Sequence, residues 1–167
     1  MEKIITGKAH VFGDNIDTDQ IYPGRFVELV DPKEIAKYCM IGAKADFLND
    51  FTRGDVIIGG TNFGCGSSRE HAAITLTTAG VSAVIAKSFA RIFYRNAFNL
   101  GMPLIVCKEI DTLELNDDEV TVDIEKWTIT NNTNGKEAAC EPISEYAMEL
   151  LENGGIKNLI RKQYKNK

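Results

Sequence analysis

The sequence is poor in the residues that build metal centres and disulfide frameworks, with four cysteines and two histidines among 167 residues. Cys39, Cys65, Cys107 and Cys140 lie 26, 42 and 33 residues apart, and no CxxC pair occurs. Thiols so dispersed argue against a disulfide scaffold. With only His10 and His71 beside them, they also argue against a metal or cluster site built wholly by this chain. No apolar run approaches the ~20 residues that span a bilayer. The opening Met1-Glu2-Lys3-Ile4 lacks the apolar stretch of a signal peptide. These absences predict a cytoplasmic protein with no membrane partner. A formal charge of −5 argues against nucleic acid as a ligand.

What is present fits one domain over residues 1–167, since a chain near 150 residues buries roughly 68–70% of its unfolded surface. Charge is uneven along it. Eight acids and no base lie between Glu109 and Glu125, and five bases and no acid between Lys157 and Lys167. Both read as solvated faces, the second as a basic C-terminal helix and tail over 155–167. The span from Arg53 to Arg95 holds five bases and two acids, which makes the middle of an acidic chain the place for an anion.

Punctuation by glycine, proline and aspartate sets the elements. Ile4–Phe12 reads as a strand, followed by an Asp-, Gly- and Pro-rich loop over 14–31 that is long enough to suspect function. Asp31-Pro32 starts a helix running to about Met40. Strands at 55–58, 84–86 and 104–106 are separated by helices at 68–79, with Gly80 as C-cap, and at 89–100, with Ser88 as cap. That alternation predicts βαβ units with parallel pairing. A hairpin arm at 120–124 and 127–130 and helices at 144–152 and 156–164 complete an α/β chain with a β-rich second half.

Chemistry concentrates in Gly59-Gly60-Thr61-Asn62-Phe63-Gly64-Cys65-Gly66-Ser67-Ser68-Arg69-Glu70-His71. The glycines let backbone approach a ligand. Ser67-x-x-Glu70 has the spacing of a capping box. Hydroxyls, backbone N–H groups and the Arg69 guanidinium would then converge on one helix terminus, as a carboxylate site requires. A Walker loop needs Gly-Lys-Ser/Thr where Gly64-Cys65 stands, and a dinucleotide fingerprint needs glycine where Arg69 stands. Cys65 could instead be a thiolate nucleophile, or simply a small cysteine, buried or at the edge of a ligand. A non-catalytic anion-binding domain remains an alternative. Arg91 and Arg95 share a helix face, either at an anion or subunit contact or in a surface ion pair.

Three motifs together resemble a known family: Asp14-Asn15-Ile16-Asp17-Thr18-Asp19, Gly64-Cys65-Gly66-Ser67-Ser68-Arg69-Glu70-His71, and Ala86-Lys87-Ser88-Phe89-Ala90-Arg91-Ile92-Phe93-Tyr94-Arg95-Asn96. From about Lys3 to Arg161 the chain is similar to the swivelling domain of the aconitase superfamily. As a free chain, that domain is the small subunit of 3-isopropylmalate dehydratase and homoaconitase-type hydro-lyases. The resemblance implies a swivelling β/β/α domain with a parallel βαβ core. It implies a role in leucine biosynthesis and a small 2-hydroxy dicarboxylate substrate. It also implies a cluster-bearing large subunit as partner, in a heterodimer or heterotetramer, with the [4Fe-4S] cluster in that partner and no cofactor in this chain. Ser67 would be the base that removes a proton alpha to a carboxylate, Arg69 would bind a carboxylate, and Ser68 would lie beside it. Asp17, Asp19, Gly64, Cys65 and Gly66 would support the site. In related small subunits the loop before Asp31-Pro32 reads the variable end of the substrate. Tyr-Leu-Val-Met marks isopropylmalate enzymes there and Tyr-Leu-Arg-Thr homoaconitase types, whereas this chain has Arg25 followed by Phe26-Val27-Glu28-Leu29. Glu28 would repel a third carboxylate, with Arg25 placed to neutralise it. Isopropylmalate, methylmalate/citraconate and dimethylmalate remain open.

Overall fold

The computed structural model describes residues 2–165. Met1, at the start of the chain, and residues 166 and 167 of the basic tail lie outside that range. Seven strands form one sheet: β1 (Ile4–Val11), β2 (Val56–Ile58), β3 (Ala83–Ala86), β4 (Leu104–Val106), β5 (Glu119–Asp123), β6 (Thr128–Asn131) and β7 (Glu137–Ala139). Their order is β4-β3-β2-β1-β5-β6-β7. β1 is the seam, because it pairs parallel with β2 on one side and antiparallel with β5 on the other.

The parallel strands β2 and β3 are short and apolar and are buried on both faces, as helix-covered parallel strands must be. Ile57 and Val84 join one core together with Leu76 and Phe93, on the face covered by α4 (His71–Ala79) and α5 (Arg91–Asn99). The alternate residues Val56, Ile58 and Ile85 join a second core with Val120, Val122 and Ile129. The antiparallel arm therefore curls over the other face, giving the expected β/β/α layering. Helices α6 (Glu145–Glu152), capped by Ser144, and α7 (Ile156–Lys165) close the chain. No helix of the described residues is long and apolar enough to cross a membrane.

The expected parallel units, the hairpin, the Asp31 cap on α2 (Pro32–Ala36) and the Gly80 C-cap at φ +96° all form. Several details differ. α4 starts at His71, preceded by Glu70, which makes no side-chain cap bond. The Ser67–Glu70 capping box does not form, because Ser67 is bonded elsewhere. α5 starts at Arg91, and Ser88 does not cap it. Ser88 O accepts from Phe63 N at 3.0 Å and Ser88 Oγ accepts from Asn62 N at 2.7 Å, which holds residues 88–90 extended. Two short helices, α1 (Thr18–Ile21) and α3 (Phe47–Asp50), and the edge strand β7 were not anticipated.

Candidate active site

The loops that follow β1 and β2 leave the same carboxyl edge of the parallel sheet, where ligands of open α/β sheets gather. They are zipped together by main-chain bonds. Asn15 N donates to Thr61 O at 2.8 Å, Gly64 N to Ile16 O at 2.7 Å and Thr18 N to Cys65 O at 2.8 Å. The Asp14 carboxylate accepts from Thr61 N at 2.8 Å, and this backbone bond holds its carboxyl below the usual range. Two of the loop glycines are required by geometry. A Cβ on Gly64, at φ +87°, would fall 2.3 Å from the Phe93 ring, and one on Gly66, at φ +105°, would fall 3.2 Å from Thr18 Oγ1.

This zip delivers Ser67 into a specific polar contact. Thr18 is buried, and its Oγ1 accepts from Ser67 N at 3.0 Å. With that lone pair occupied, the Thr18 hydroxyl proton points at Ser67 Oγ, 3.3 Å away. Arg69 Nε donates to the same Ser67 Oγ at 3.0 Å. Two donors, one of them cationic, thus converge on one exposed serine oxygen, and both favour its ionised form. Ser68 is exposed, and its carbonyl accepts from Asn96 Nδ2 of α5 at 3.3 Å.

Asp17 caps α1, accepting from Gln20 N at 2.8 Å, while Gln20 Oε1 accepts from Asp17 N at 3.0 Å. It orients Thr18 and does not face Ser67 through any hydrogen bond. Asp19 Oδ1 accepts from Gly24 N at 2.6 Å. Gly24 is wedged between that carboxylate and the Arg69 guanidinium, since a Cβ there would lie 3.1 Å from both Asp19 Oδ1 and Arg69 Nη2.

The 25–29 segment is tied down through its backbone. Tyr22 Oη donates to Phe26 O at 2.7 Å, and His71 Nε2 lies 2.9 Å from Leu29 O. A carbonyl can only accept, so His71 carries its proton on Nε2. Its ring stacks on Tyr22 at 5.3 Å between centroids. Phe26 stacks on Tyr38 at 3.8 Å, and the Arg25 guanidinium lies 4.7 Å over the Phe26 ring. Arg25 therefore does not neutralise Glu28 as expected: the aromatic face holds it, and no ion pair joins the two. Glu28 is exposed, and Val27 and Leu29 are half-buried.

Neither histidine serves Cys65. His10 Nε2 is bonded to Asp55 at 2.9 Å and His71 to Leu29, so the thiol has no hydrogen-bonded base. Among the described residues no group of three His, Cys, Asp or Glu side chains could hold a metal ion. Cys39, Cys107 and Cys140 are buried in the cores. The residues present do not fit an iron–sulfur cluster, which needs several convergent thiolates.

Arg91 and Arg95 are not brought to Ser67 and make no ion pair among the described residues; they line a separate crevice. Thr18, Asn96 and the His71–Leu29 link were missed from sequence. Thr18 was visible inside the Asp17-Thr18-Asp19 motif, but nothing local shows that its partner is 49 positions away.

Residues 49–109 match the aconitase C-terminal domain family. The chain is 47% identical over 163 residues to the 3-isopropylmalate dehydratase small subunit 1 of Methanopyrus kandleri, covering 98% of this chain and 96% of that protein. It is 48% identical to the isopropylmalate/citramalate isomerase small subunit of Methanocaldococcus jannaschii, covering 98% and 97%. The crystal structure of a 3-isopropylmalate dehydratase from the same organism superimposes with a TM-score of 0.91 at 45% identity, covering 96% of this chain and 95% of that one.

Proposed function

We propose, from the premise that this chain belongs to the family of 3-isopropylmalate dehydratase small subunits, that Ser67 is the proton-abstracting base of a hydro-lyase site shared with a large subunit. The reaction is the dehydration and rehydration that interconverts 2-isopropylmalate and 3-isopropylmalate in leucine biosynthesis. The observation that carries the assignment of Ser67 is the pair of donors on its Oγ, from Thr18 at 3.3 Å and Arg69 at 3.0 Å. A serine hydroxyl is a weak base in water. It becomes competent where its alkoxide is met by fixed donors and a cation, and water is excluded.

Here the donors are in place, but Ser67, Ser68 and Arg69 are all exposed. The dry site must be completed by another surface, and the cluster-bearing large subunit supplies it. Ser67 takes the proton from the carbon alpha to a substrate carboxylate as the C–OH bond of the neighbouring carbon breaks and the double bond forms. Arg69 holds that carboxylate while Nε keeps its bond to Ser67, and the departing hydroxide would be taken by the Lewis acid that a cluster in the large subunit would supply. On rehydration Ser67 returns the proton. Asp19 fixes Gly24 and hence the 25–29 segment that reads the substituent, and Asp17, Gly64, Cys65 and Gly66 hold the loops in register. Glu28, exposed beside the half-buried Val27 and Leu29, disfavours a third carboxylate and suits an apolar substituent. The similarity to an isopropylmalate/citramalate isomerase small subunit favours citramalate as a second substrate.

The test is anaerobic co-assembly with the large subunit, followed by dehydration assays on isopropylmalate, citramalate and homocitrate. Ser67→Ala is expected to lose about 10²–10⁴-fold in kcat, with the assembly intact. Undiminished turnover by Ser67→Ala overturns the base assignment, and turnover by this chain alone overturns the shared site.

A further inference from the structure

The carboxyl edge of the parallel sheet carries a second crevice that the Ser67 site does not use. It lies between α5 and α6, has a volume of about 640 Å³, and is rimmed by Lys87, the residue after β3, and Lys108, two residues beyond β4. Its basic side chains are Lys87, Arg91, Arg95 and Lys108, against one acid, Glu141. Glu141 is taken by Lys108 at 3.3 Å, and Lys87 is paired with Asp111. Arg91 and Arg95 remain, both exposed and without an ion-pair partner among the described residues. They stand one helical turn apart on α5, where side chains of one face lie about 5–6 Å from each other. The walls between them and α6 are aromatic, with Phe89 and Tyr94 on one side and Tyr146, 55% exposed, on the other. Ile92, on the same helix, is 50% exposed.

The crevice and the half-site share α5. The helix that bears Arg91 and Arg95 also holds the catalytic loop, through Asn96 Nδ2 and Ser68 O. A protein that covers Ser67 to exclude water must lie along the same edge. Two unpaired guanidiniums over an aromatic floor select carboxylates carried on an apolar segment.

We propose that this crevice is a docking site for the large subunit, taking an acidic segment whose carboxylates pair with Arg91 and Arg95 while an apolar side chain enters between Tyr94 and Tyr146. This rests on the two-subunit reading above. Neither arginine touches Ser67, so their contribution is to assembly and not to the chemical step.

The test is the dissociation constant for the large subunit, measured by calorimetry at two salt concentrations. The wild type, R91E/R95E, R91K/R95K and Ser67→Ala are compared. R91E/R95E is expected to bind at least about tenfold more weakly and with a shallower salt dependence. Its circular dichroism and its kcat at saturating large subunit should be unchanged. R91K/R95K should stay within a few-fold of wild type, and Ser67→Ala should bind normally. Wild-type affinity for R91E/R95E at low salt overturns the docking site. So does loss of self-association of the isolated chain in that variant, which assigns the crevice to a second copy. Tight wild-type assembly with no turnover on any malate sinks the assigned reaction while leaving the docking site standing.

Discussion

Replacing Thr18 by valine removes one hydroxyl and almost no volume, so it isolates the donor that the structure aims at Ser67. Thr18 Oγ1 makes two bonds, accepting from Ser67 N at 3.0 Å and facing Ser67 Oγ at 3.3 Å. The first bond is made whatever the charge on Ser67; the second strengthens only as Ser67 ionises. A hydrogen bond to a charged group contributes about 1.5–3 kcal/mol, which corresponds to about 10- to 150-fold in kcat. Ser67 is exposed, so water replaces the lost acceptor at its N–H and the cost in fold stability is about 1 kcal/mol. The assay is steady-state dehydration by the assembled enzyme over a pH series. Thr18→Val should lower kcat by that factor with little change in KM, and move the acid limb of kcat/KM upward by about one to two pH units. Thr18→Ser, which keeps the hydroxyl, should recover most of the loss. A valine variant within twofold of wild type, with an unshifted pH profile, would refute the claim that Thr18 stabilises the ionised serine.

Gly64→Ala should destabilise the chain by about 2–5 kcal/mol in urea unfolding. The estimate combines a left-handed backbone penalty with overpacking, because the new Cβ would fall 2.3 Å from the buried Phe93 ring; a change below about 0.5 kcal/mol contradicts that geometry. Glu28→Arg should move the ratio of kcat/KM values toward tricarboxylate substrates such as homoaconitate, and an unchanged ratio means that the 25–29 segment does not read the substituent. Asp14 has its folded-state carboxyl lowered by the Thr61 N–H. Its contribution is therefore present above the ordinary carboxylate range and is lost as pH falls below about 4. Asp14→Asn should flatten the acid side of the stability profile, and a profile that superimposes on wild type excludes the bond as a source of that slope.

Much of the fold is legible because its parallel half is punctuated locally. Asp31-Pro32, Gly80 and the apolar triplets at 56–58 and 104–106 each specify their element through neighbours in sequence. Non-local contacts are where sequence reasoning fails. Ser67 and Glu70 have capping-box spacing, yet Thr18 and Arg69 take the serine first, and the helix starts a turn later. Ser88 looks like a cap but is claimed by Phe63 and Asn62 across the sheet edge. β7 is three residues, Glu137–Ala139, made a strand by pairing with β6 and by no pattern of its own. The candidate site was legible as a motif in Ser67 and Arg69, and illegible in Thr18 and Asn96, whose roles exist only after the loops close.

The anchors of the 24–29 segment have a consequence for how this enzyme family changes. Asp19 grips the nitrogen of residue 24, Tyr22 grips the oxygen of residue 26, and His71 grips the oxygen of residue 29. All three grips are on main-chain atoms. The path of the segment is therefore largely indifferent to the side chains at 25, 27 and 28, provided position 24 stays glycine. On the proposed reading of this segment, substrate range can drift by ordinary point substitution while the serine and its donors keep their alignment, as a replaceable reading head would on a fixed mount.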